Sequence, residues 1–317
     1  MAADPILIIA ATQPRLVPIR GRSNAIRSAI ADYWALTKPE VNFLIAIATF
    51  TGFYLAVPAP LREFPSLRLV HTLLGTLLVA SGTGTLNQHI ERRFDAQMRR
   101  TARRPLAAGR LKSAAVLWFG IALSAIGCIY LATAVNLLAS LLALFTLLSY
   151  LFLYTPLKRK TPACVLVGAL PGAVPPLIGW VAASGKLSLE AWVLYAMLFL
   201  WQFPHFMAIA WMYREDYDRA GYFVLPQGQT RVIFVALQTI LPLLALLPIS
   251  LLAVSGGQPS FLSGIGPLLL SLGFLYYGVE FVRRRPNAAA RRLLLASIIY
   301  LLSLSVLVVL FKGWRAL

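Results

Sequence analysis

Residues 113–153 read SAAVLWFGIALSAIGCIYLATAVNLLASLLALFTLLSYLFL and contain no Asp, Glu, Lys or Arg. A membrane-spanning helix needs about 20 mostly apolar residues, so this stretch is long enough for two. Asn136 lies near its middle, where a tight turn can connect two antiparallel helices. A single helix through the whole stretch would be implausibly long for a bilayer. The stretch therefore predicts a helical pair embedded in a membrane.

The rest of the chain has the same apolar character. Its 317 residues are 59% hydrophobic and 13% charged, and the mean hydropathy is +0.75. Soluble domains carry about 25% charged residues, so this composition excludes a soluble protein. Cys128 and Cys164 both lie in apolar runs, which argues against a disulfide framework and against a cysteine zinc site.

Further apolar runs of spanning length occur along the chain. They predict transmembrane helices near residues 41–57, 69–89, 113–133, 135–153, 163–183, 189–211, 231–254, 261–281 and 292–311. The predicted fold class is therefore all-α, a polytopic membrane bundle of about nine helices. The predicted division of the chain is a cytoplasmic N-terminal tail, 1–40, a nine-helix transmembrane domain, 41–311, and a short C-terminal tail, 312–317.

The basic residues are unevenly distributed. Lys and Arg number 29 against 11 Asp and Glu, and 24 of the 29 fall in the N-terminal tail and in alternate loops. Such residues stay preferentially on the cytoplasmic side. This bias predicts a multi-pass protein of the bacterial cytoplasmic (inner) membrane with its N-terminus in the cytoplasm. The mitochondrial inner membrane is the alternative, because the leader is rich in Arg and poor in acids.

A first polar cluster lies at the cytoplasmic end of the second predicted span. Asn87, Glu91 and Asp95 are four residues apart, so they share one face of a helix. Mg²⁺ prefers such oxygen ligands, commonly one or two carboxylates together with substrate phosphates. An amide as deep as Asn87 is also disfavoured in a span unless it has a function. The alternative is a solvated helix end, on which the acids pair with the neighbouring arginines.

Two basic segments accompany this cluster. Arg100 and Arg104 belong to an Arg-rich segment between residues 99 and 110, and Lys158 and Arg159 follow Tyr154 in a short proline-bounded loop. The planar guanidinium group grips phosphate oxygens well, which indicates an anionic ligand. Attraction to anionic lipid head groups is the other interpretation, and both effects can act together.

A second acidic cluster follows the sixth predicted span, on the same side. It contains Glu215 and Asp216, and His205 lies about two turns earlier, after a proline that can kink the helix. Two facing carboxylate clusters predict an active-site cavity that opens to the cytoplasmic side and holds two Mg²⁺ ions against one diphosphate. His205 is either a ligand or an ordinary interhelical hydrogen-bonding group.

The fifth predicted span contains the sequence GALPGAVPP at residues 168–176. Small residues and prolines permit close approach of helices and a broken backbone, as cavities in membrane bundles require. No Walker loop, dinucleotide-binding glycine motif or Ser-His-Asp order is present.

On these residues the chain resembles the UbiA superfamily of intramembrane prenyltransferases, and within it the protohaem IX farnesyltransferases. The resemblance extends from the Leu36-Thr37-Lys38-Pro39 segment to the ninth predicted span. The matching motifs are Asn87-x3-Glu91-x3-Asp95, Arg100-Thr101-x2-Arg104-Pro105, Tyr154-Thr155-Pro156-Leu157-Lys158-Arg159, Pro204-His205-Phe206 and Asp216-Tyr217-x2-Ala220-Gly221. Tyr213 and Tyr217 stand where general members carry two Asp residues, which leaves Asp216 and then Glu215 as second-site metal ligands.

The resemblance implies transfer of a farnesyl group from farnesyl diphosphate to a vinyl group of haem B, giving haem O, with Mg²⁺ as cofactor. The catalytic residues it implies are Asn87, Glu91, Asp95, Arg100, Arg104 and His205. The substrate-binding residues it implies are Lys38, Arg100, Arg104, Tyr154, Lys158, Arg159 and His205. The metal ligands it implies are Asn87, Glu91, Asp95, Asp216 and Glu215. A haem A synthase or a terminal oxidase would receive the product.

Other functions stay open on the residues alone. A UbiA-type enzyme can use another acceptor, such as an aromatic acid, a quinone precursor or chlorophyllide. A transporter of anions would show inverted repeats, whereas both acidic clusters here lie on one side of the membrane. No nucleic-acid partner is expected, because the basic residues are spread over separate loops.

Overall fold

The computed structural model describes residues 22–58, 64–254 and 261–315, and over these ranges the chain is helical without strands. The helices are α1 (Arg22–Leu36), α2 (Pro39–Ala56), α3 (Ser66–Asp95), α4 (Ser113–Ala134), α5 (Leu137–Leu148), α6 (Thr155–Leu157), α7 (Cys164–Gly172), α8 (Pro175–Ser184), α9 (Leu189–Met212), α10 (Arg214–Arg219), α11 (Thr230–Val254), α12 (Phe261–Arg284) and α13 (Asn287–Arg315). A π-helical segment, Ser149–Tyr154, joins α5 to α6.

Nine membrane spans are identified by length and hydropathy within the described ranges. Seven are formed by α2, α3, α4, α9, α11, α12 and α13. The other two are composite, one running from α5 through the π-helical segment to α6 and one combining α7 with α8. The predicted all-α bundle of about nine spans is confirmed.

Asn136 makes the turn between α4 and α5, as the sequence predicts. Its side-chain oxygen accepts a hydrogen bond from the backbone N–H of Ala139 at 2.8 Å, which caps α5. Its side-chain nitrogen donates to the carbonyl oxygen of Val181 in α8 at 2.8 Å. Polar groups in a bilayer must find partners inside the protein. The turn therefore also fixes the helical pair against α8.

The fifth predicted span is broken, as its proline and glycine residues indicate. Helix α7 ends at Gly172, and α8 begins at Pro175. Proline suits the first position of a helix, because the backbone N–H that it lacks would have no partner within the helix there. Helix α8 then packs very closely on α2. A Cβ atom on Gly179 would overlap the carbonyl oxygen of Thr49, and one on Gly52 would overlap that of Pro176.

This close approach predicts that Gly179→Ala destabilises the fold by about 1–3 kcal/mol, since the added methyl meets rigid backbone. The midpoint of thermal unfolding, followed by tryptophan fluorescence, should fall. Gly273→Ala in α12 is the matched control, because a Cβ atom there meets nothing within 4 Å. An unfolding midpoint for Gly179→Ala at or above that of Gly273→Ala would contradict this packing.

Three boundaries differ from the predicted ones. The predicted tail, 1–40, contains α1, while residues 1–21 lie outside the described residues. Helix α13 runs to Arg315, past the predicted end of the domain at 311, and residues 316–317 lie outside the described residues. Helix α3 runs from Ser66 to Asp95, past both ends of the predicted span 69–89. Its 30 residues give a length of about 45 Å, against about 30 Å of hydrocarbon, and the first polar cluster occupies its last turns.

Candidate active site

The last turns of α3 bring Asn87, Glu91 and Asp95 together on one buried face. The three residues are 1%, 5% and 1% exposed. Asn87 and Glu91 also make long-range contacts. A buried polar group needs a partner, and a buried charge needs an opposite charge.

Each of these three residues contacts a cation from outside α3. Lys38 Nζ donates to Asn87 Oδ1 at 3.0 Å, and Lys158 Nζ lies 2.8 Å from Glu91 Oε1. Arg104 Nη1 lies 2.7 Å from the Oδ2 atom of the third member, Asp95. We call these three contacts the cation row. Glu91 and Asp95 are themselves buried, and their partners are Lys158 and Arg104, whose side chains are 12% and 26% exposed. This pairing argues against the alternative of a solvated helix end on which the acids pair with the arginines beside them.

Lys38 reaches the row because the connection between α1 and α2 is bound to α3. The carbonyl oxygen of Leu36 accepts hydrogen bonds from Gln88 Nε2 at 2.9 Å and from Thr85 Oγ1 at 3.4 Å. Lys38 itself has φ 53° and ψ 62°, a left-handed conformation that turns the chain into α2. Gln88 and Thr85 are not among the site residues predicted from the sequence. The signal for Gln88 was a second amide beside Asn87, deep in an apolar span.

The two lysines of the row have different proton affinities. Burial, and then the charges of Arg104 and Lys158, lower the pKa of Lys38 to about 7. Burial also disfavours the charged form of Lys158, but the facing Glu91 carboxylate raises the pKa of Lys158 well above its ordinary value. The Lys158–Glu91 ion pair is therefore fully charged at neutral pH.

The π-helical segment positions the loop that carries Lys158. Thr155 Oγ1 donates to the carbonyl oxygen of Tyr150 at 2.8 Å and accepts a hydrogen bond from Asn87 Nδ2 at 3.2 Å. The Nζ atom of Lys158 lies 4.5 Å from the ring centroid of Tyr154. Short π-helical segments often occur at functional sites. Here the segment brings a hydroxyl, an aromatic face and a cation to the same end of α3.

Arg159 follows Lys158 but faces outward. Its guanidinium carbon lies 4.3 Å from the ring centroid of Phe94 in α3, and the residue is exposed. This cation–π contact holds the loop against α3. Of the two basic residues predicted in this loop, Lys158 is the one in the cation row.

The second acidic cluster approaches the first through Asp216. Its Oδ2 atom accepts a hydrogen bond from the backbone N–H of Arg100 at 3.3 Å, and its Oδ1 atom lies 3.1 Å from Arg219 Nη1. Asp216 is buried. The side chain of Glu215 is 75% exposed and lies 3.9 Å from Arg214. The structure therefore brings Asp216, and not Glu215, against the segment that carries Arg100 and Arg104.

Two tyrosines hold the Arg100 side chain. Its guanidinium carbon lies 5.0 Å from the ring centroid of Tyr213, and its Nη2 atom donates to the Tyr217 hydroxyl at 3.3 Å. These are the two tyrosines that stand, by the resemblance, where two Asp residues are expected. In this chain the aromatic pair holds an arginine. This role of the tyrosines is not predicted from the sequence.

His205 lies in α9 and contacts α13. Its Nδ1 atom is 2.8 Å from Ser297 Oγ, and its ring stacks on Trp201 with centroids 4.8 Å apart. Trp201 lines an apolar cavity of about 40 Å³, whose wall also includes Thr51 and Tyr300. His205 therefore lies one helical turn from this cavity, on the side nearer the acidic end of α9.

The residues at the end of α3 suit a hard cation that is bound together with a phosphate. Within the described ranges no group of three or more His, Cys, Asp or Glu side chains is close enough to hold an ion without other ligands. However, Asp95 Oδ1 is buried without a hydrogen-bond partner there. Mg²⁺ is usually bound by one or two carboxylates, with phosphate oxygens and water completing its octahedron. The oxygens of Asn87, Glu91 and Asp95 fit that mode, and Asp216 lies against the adjoining segment through its hydrogen bond from the backbone N–H of Arg100.

The sequence profile of the UbiA prenyltransferase family matches residues 45–310. A UbiA homologue from Aeropyrum pernix K1 has the same fold, with a TM-score of 0.65, 20% identity and coverage of 84% of this chain and 98% of that one. A UbiA homologue from Archaeoglobus fulgidus, solved with GPP and Mg²⁺, gives a TM-score of 0.58 at 15% identity, with coverage of 87% and 99%. The chain belongs to the UbiA prenyltransferase family and is a prenyltransferase.

A curated relative identifies the branch of the family. The protohaem IX farnesyltransferase of Solibacter usitatus is 48% identical over 276 residues, which cover 85% of this chain and 94% of the relative. The resemblance to protohaem IX farnesyltransferases that the motifs indicate is therefore confirmed.

Proposed function

We propose that this prenyltransferase moves a farnesyl group from farnesyl diphosphate to a vinyl group of haem B and so makes haem O. The observation that carries the proposal is the cation row along the buried face of α3. Arg104 and Lys158 each pair with one carboxylate, whereas Lys38, with a pKa of about 7, faces the neutral amide of Asn87, so its protonated form is available to an anionic substrate. The 48% identity to a protohaem IX farnesyltransferase supports haem B as the acceptor.

The residues of the row act on the diphosphate. Lys158 and Arg104 donate hydrogen bonds to its oxygens, and Arg100 is held ready by its two tyrosines. Donors fixed in a buried site favour the negative charge that grows on the diphosphate as it leaves. Asn87, Glu91, Asp95 and Asp216 would hold Mg²⁺, which when bound supplies a Lewis acid at the same oxygens.

The reaction then takes place at the allylic carbon. The carbon–oxygen bond breaks, and the diphosphate leaves with the electron pair. The π electrons of the haem vinyl group form the new carbon–carbon bond, and water adds to the resulting cation with loss of a proton. The face of the Tyr154 ring, which already lies against Lys158, tolerates positive charge nearby. His205 contacts the acceptor.

The orientation in the membrane belongs to the same proposal. The cation row joins three segments that the basic-residue bias assigns to the cytoplasmic side, which supports a cavity opening to the cytoplasm and a bacterial inner membrane. Transfer of the product to a haem A synthase or a terminal oxidase stays a prediction.

The test is to incubate the purified full chain with haem B, farnesyl diphosphate and Mg²⁺ and to detect farnesylated haem by mass spectrometry. We expect EDTA to lower the rate by more than about 100-fold, because Lewis-acid stabilisation is worth several kcal/mol. An unchanged rate with EDTA contradicts the metal assignment. Prenylation of 4-hydroxybenzoate without any haem product would contradict haem B as the acceptor but would leave the family assignment unchanged.

A further inference from the structure

Tyr222 has a buried hydroxyl beside the cation row. The residue is 5% exposed, and its hydroxyl oxygen makes no hydrogen bond within the part of the chain that the structure describes. A buried hydroxyl without a partner is rare in folded proteins, because it loses its bonds to water and gains none in return. A role in binding or catalysis is one of the few reasons for keeping such a group.

Three contacts place Tyr222 against the segments that form the row. Its ring centroid lies 5.7 Å from that of Phe94 in the last turn of α3 and 6.0 Å from that of Tyr217 in α10. The next residue, Phe223, donates its backbone N–H to the carbonyl oxygen of Lys158 at 2.6 Å. The segment that carries Tyr222 is therefore bound both to α3 and to the loop that supplies a cation of the row.

A glycine turn after α10 brings the chain to this position. Gly221 has φ 69°, a left-handed conformation that glycine adopts without strain. Directly after the turn, the backbone N–H of Tyr222 donates to the carbonyl oxygen of Tyr217 at 2.9 Å. The backbone is thus bonded on both sides of the Tyr222 side chain, which gives the ring a fixed position.

The hydroxyl of Tyr222 is a neutral donor in a positively charged place. Burial, and then the charge of Glu91, raise the pKa of Tyr222, so the hydroxyl keeps its hydrogen at neutral pH. The cations of the row already act on one another, since Arg104 and Lys158 lower the pKa of Lys38. A further cation would add to this repulsion, whereas a hydroxyl supplies a hydrogen bond without adding charge.

The acceptor that suits this hydroxyl is a phosphate oxygen. A hydroxyl bonds most strongly to an ionised acceptor, and the row of cations beside it attracts an anion. We propose that the Tyr222 hydroxyl donates a hydrogen bond to a phosphate oxygen of the prenyl diphosphate, which makes Tyr222 a further substrate-binding residue. This inference rests on the proposed function, from which it takes the diphosphate as donor substrate.

A purely structural role makes a different prediction for Tyr222→Phe. Phenylalanine keeps the ring contacts with Phe94 and Tyr217 and removes only the hydroxyl. If the ring alone matters, both stability and ligand affinity stay unchanged. If the hydroxyl binds the diphosphate, affinity falls while stability stays level or rises, because a buried group without a partner has been removed.

The experiment is calorimetric titration of the purified full chain in nanodiscs, at saturating Mg²⁺, with the unreactive analogue farnesyl S-thiolodiphosphate. We expect Tyr222→Phe to weaken binding about 10- to 100-fold, as loss of one hydrogen bond to a charged group does. Inorganic diphosphate should show the same ratio, because the contact is to phosphate and not to the prenyl chain. The midpoint of thermal unfolding should not fall.

Tyr130→Phe is the matched control. It also removes a tyrosine hydroxyl, which lies 2.6 Å from His71 Nδ1 near the opposite end of α3 from the cation row. Loss of this hydroxyl should leave the affinity for the analogue unchanged.

Two results overturn the inference. Equal affinities of the wild type and Tyr222→Phe for both ligands eliminate the contact with phosphate. A fall of the unfolding midpoint together with the affinity in Tyr222→Phe makes the hydroxyl structural. Failure of the proposed function is distinguishable, because the titration contains no haem and so does not depend on the acceptor. A wild type that does not bind the analogue would refute the diphosphate substrate itself.

Discussion

Asp95→Asn is expected to lower kcat for farnesyl transfer by at least about 100-fold without loss of protein from the membrane. Asparagine has the same shape and keeps an acceptor for Arg104, which lies 2.7 Å from Asp95 Oδ2. The substitution removes the negative charge and replaces one carboxylate oxygen by an amide nitrogen. In the wild type, Asp95 Oδ1 is the buried carboxylate oxygen at the end of α3 that lacks a hydrogen-bond partner in the described structure. The measurement is the steady-state rate with haem B and farnesyl diphosphate at increasing Mg²⁺.

Asp218→Asn is the matched control for this change. Asp218 also pairs with an arginine, since its carboxylate lies 2.9 Å from Arg231 Nη2, but its side chain is 43% exposed, whereas Asp95 is buried. Its removal should change kcat by less than about twofold, as expected for a surface ion pair. Equal rates for the two variants would mean that Asp95 serves only to hold its arginine.

Lys158→Met is expected to lower kcat/KM for farnesyl diphosphate by about 100- to 1,000-fold. The Lys158 side chain is 12% exposed, its Nζ atom lies 2.8 Å from Glu91 Oε1, and this carboxylate favours its charged form. Methionine fills the same space without the charge. The rate should fall even at saturating diphosphate, because the lost interaction strengthens as the leaving group gains charge. Steady-state kinetics that separate kcat from KM check this.

Two variants separate catalysis from stability at this position. Lys158→Met alone leaves Glu91 buried and unpaired, which can cost about 3–5 kcal/mol of folding free energy. Adding Glu91→Gln removes that unpaired charge, so the double variant should fold well and stay inactive. Lys160→Met, two residues along the same loop and exposed, should keep normal kinetics. Recovery of activity in the double variant would show that Lys158 serves only to neutralise Glu91.

Much of the architecture could be predicted because the bilayer leaves few choices. The thickness of the hydrocarbon core fixes the length of each span, so apolar runs reveal the number of spans. Asn136 in an apolar stretch predicts a turn, and Pro175 after Gly172 predicts a broken span, since both act through the local backbone. The spacing of Asn87 and Glu91 likewise predicts a shared helix face.

The partners of these residues could not be predicted, because they come from distant parts of the chain. Glu91 has Arg92 and Arg93 as neighbours in sequence, yet its partner is Lys158, 67 residues away. Lys158 becomes the partner of Glu91 only because α3 packs against the loop that follows α6. The contacts of Gln88 with Leu36 and of Tyr213 with Arg100 also depend on the three-dimensional fold, so the sequence does not indicate these partners.

At Lys38, backbone stability and the charge of the side chain favour different residues. A left-handed conformation costs a residue other than glycine of order 1–3 kcal/mol, and a following proline favours extended backbone instead. Glycine at this position would relax the chain but remove the cation that meets Asn87. A selection for heat resistance alone would thus favour loss of this lysine, whereas a selection for turnover would restore it. A more heat-stable enzyme engineered from this chain therefore needs stabilising substitutions at other positions, with Lys38 left unchanged.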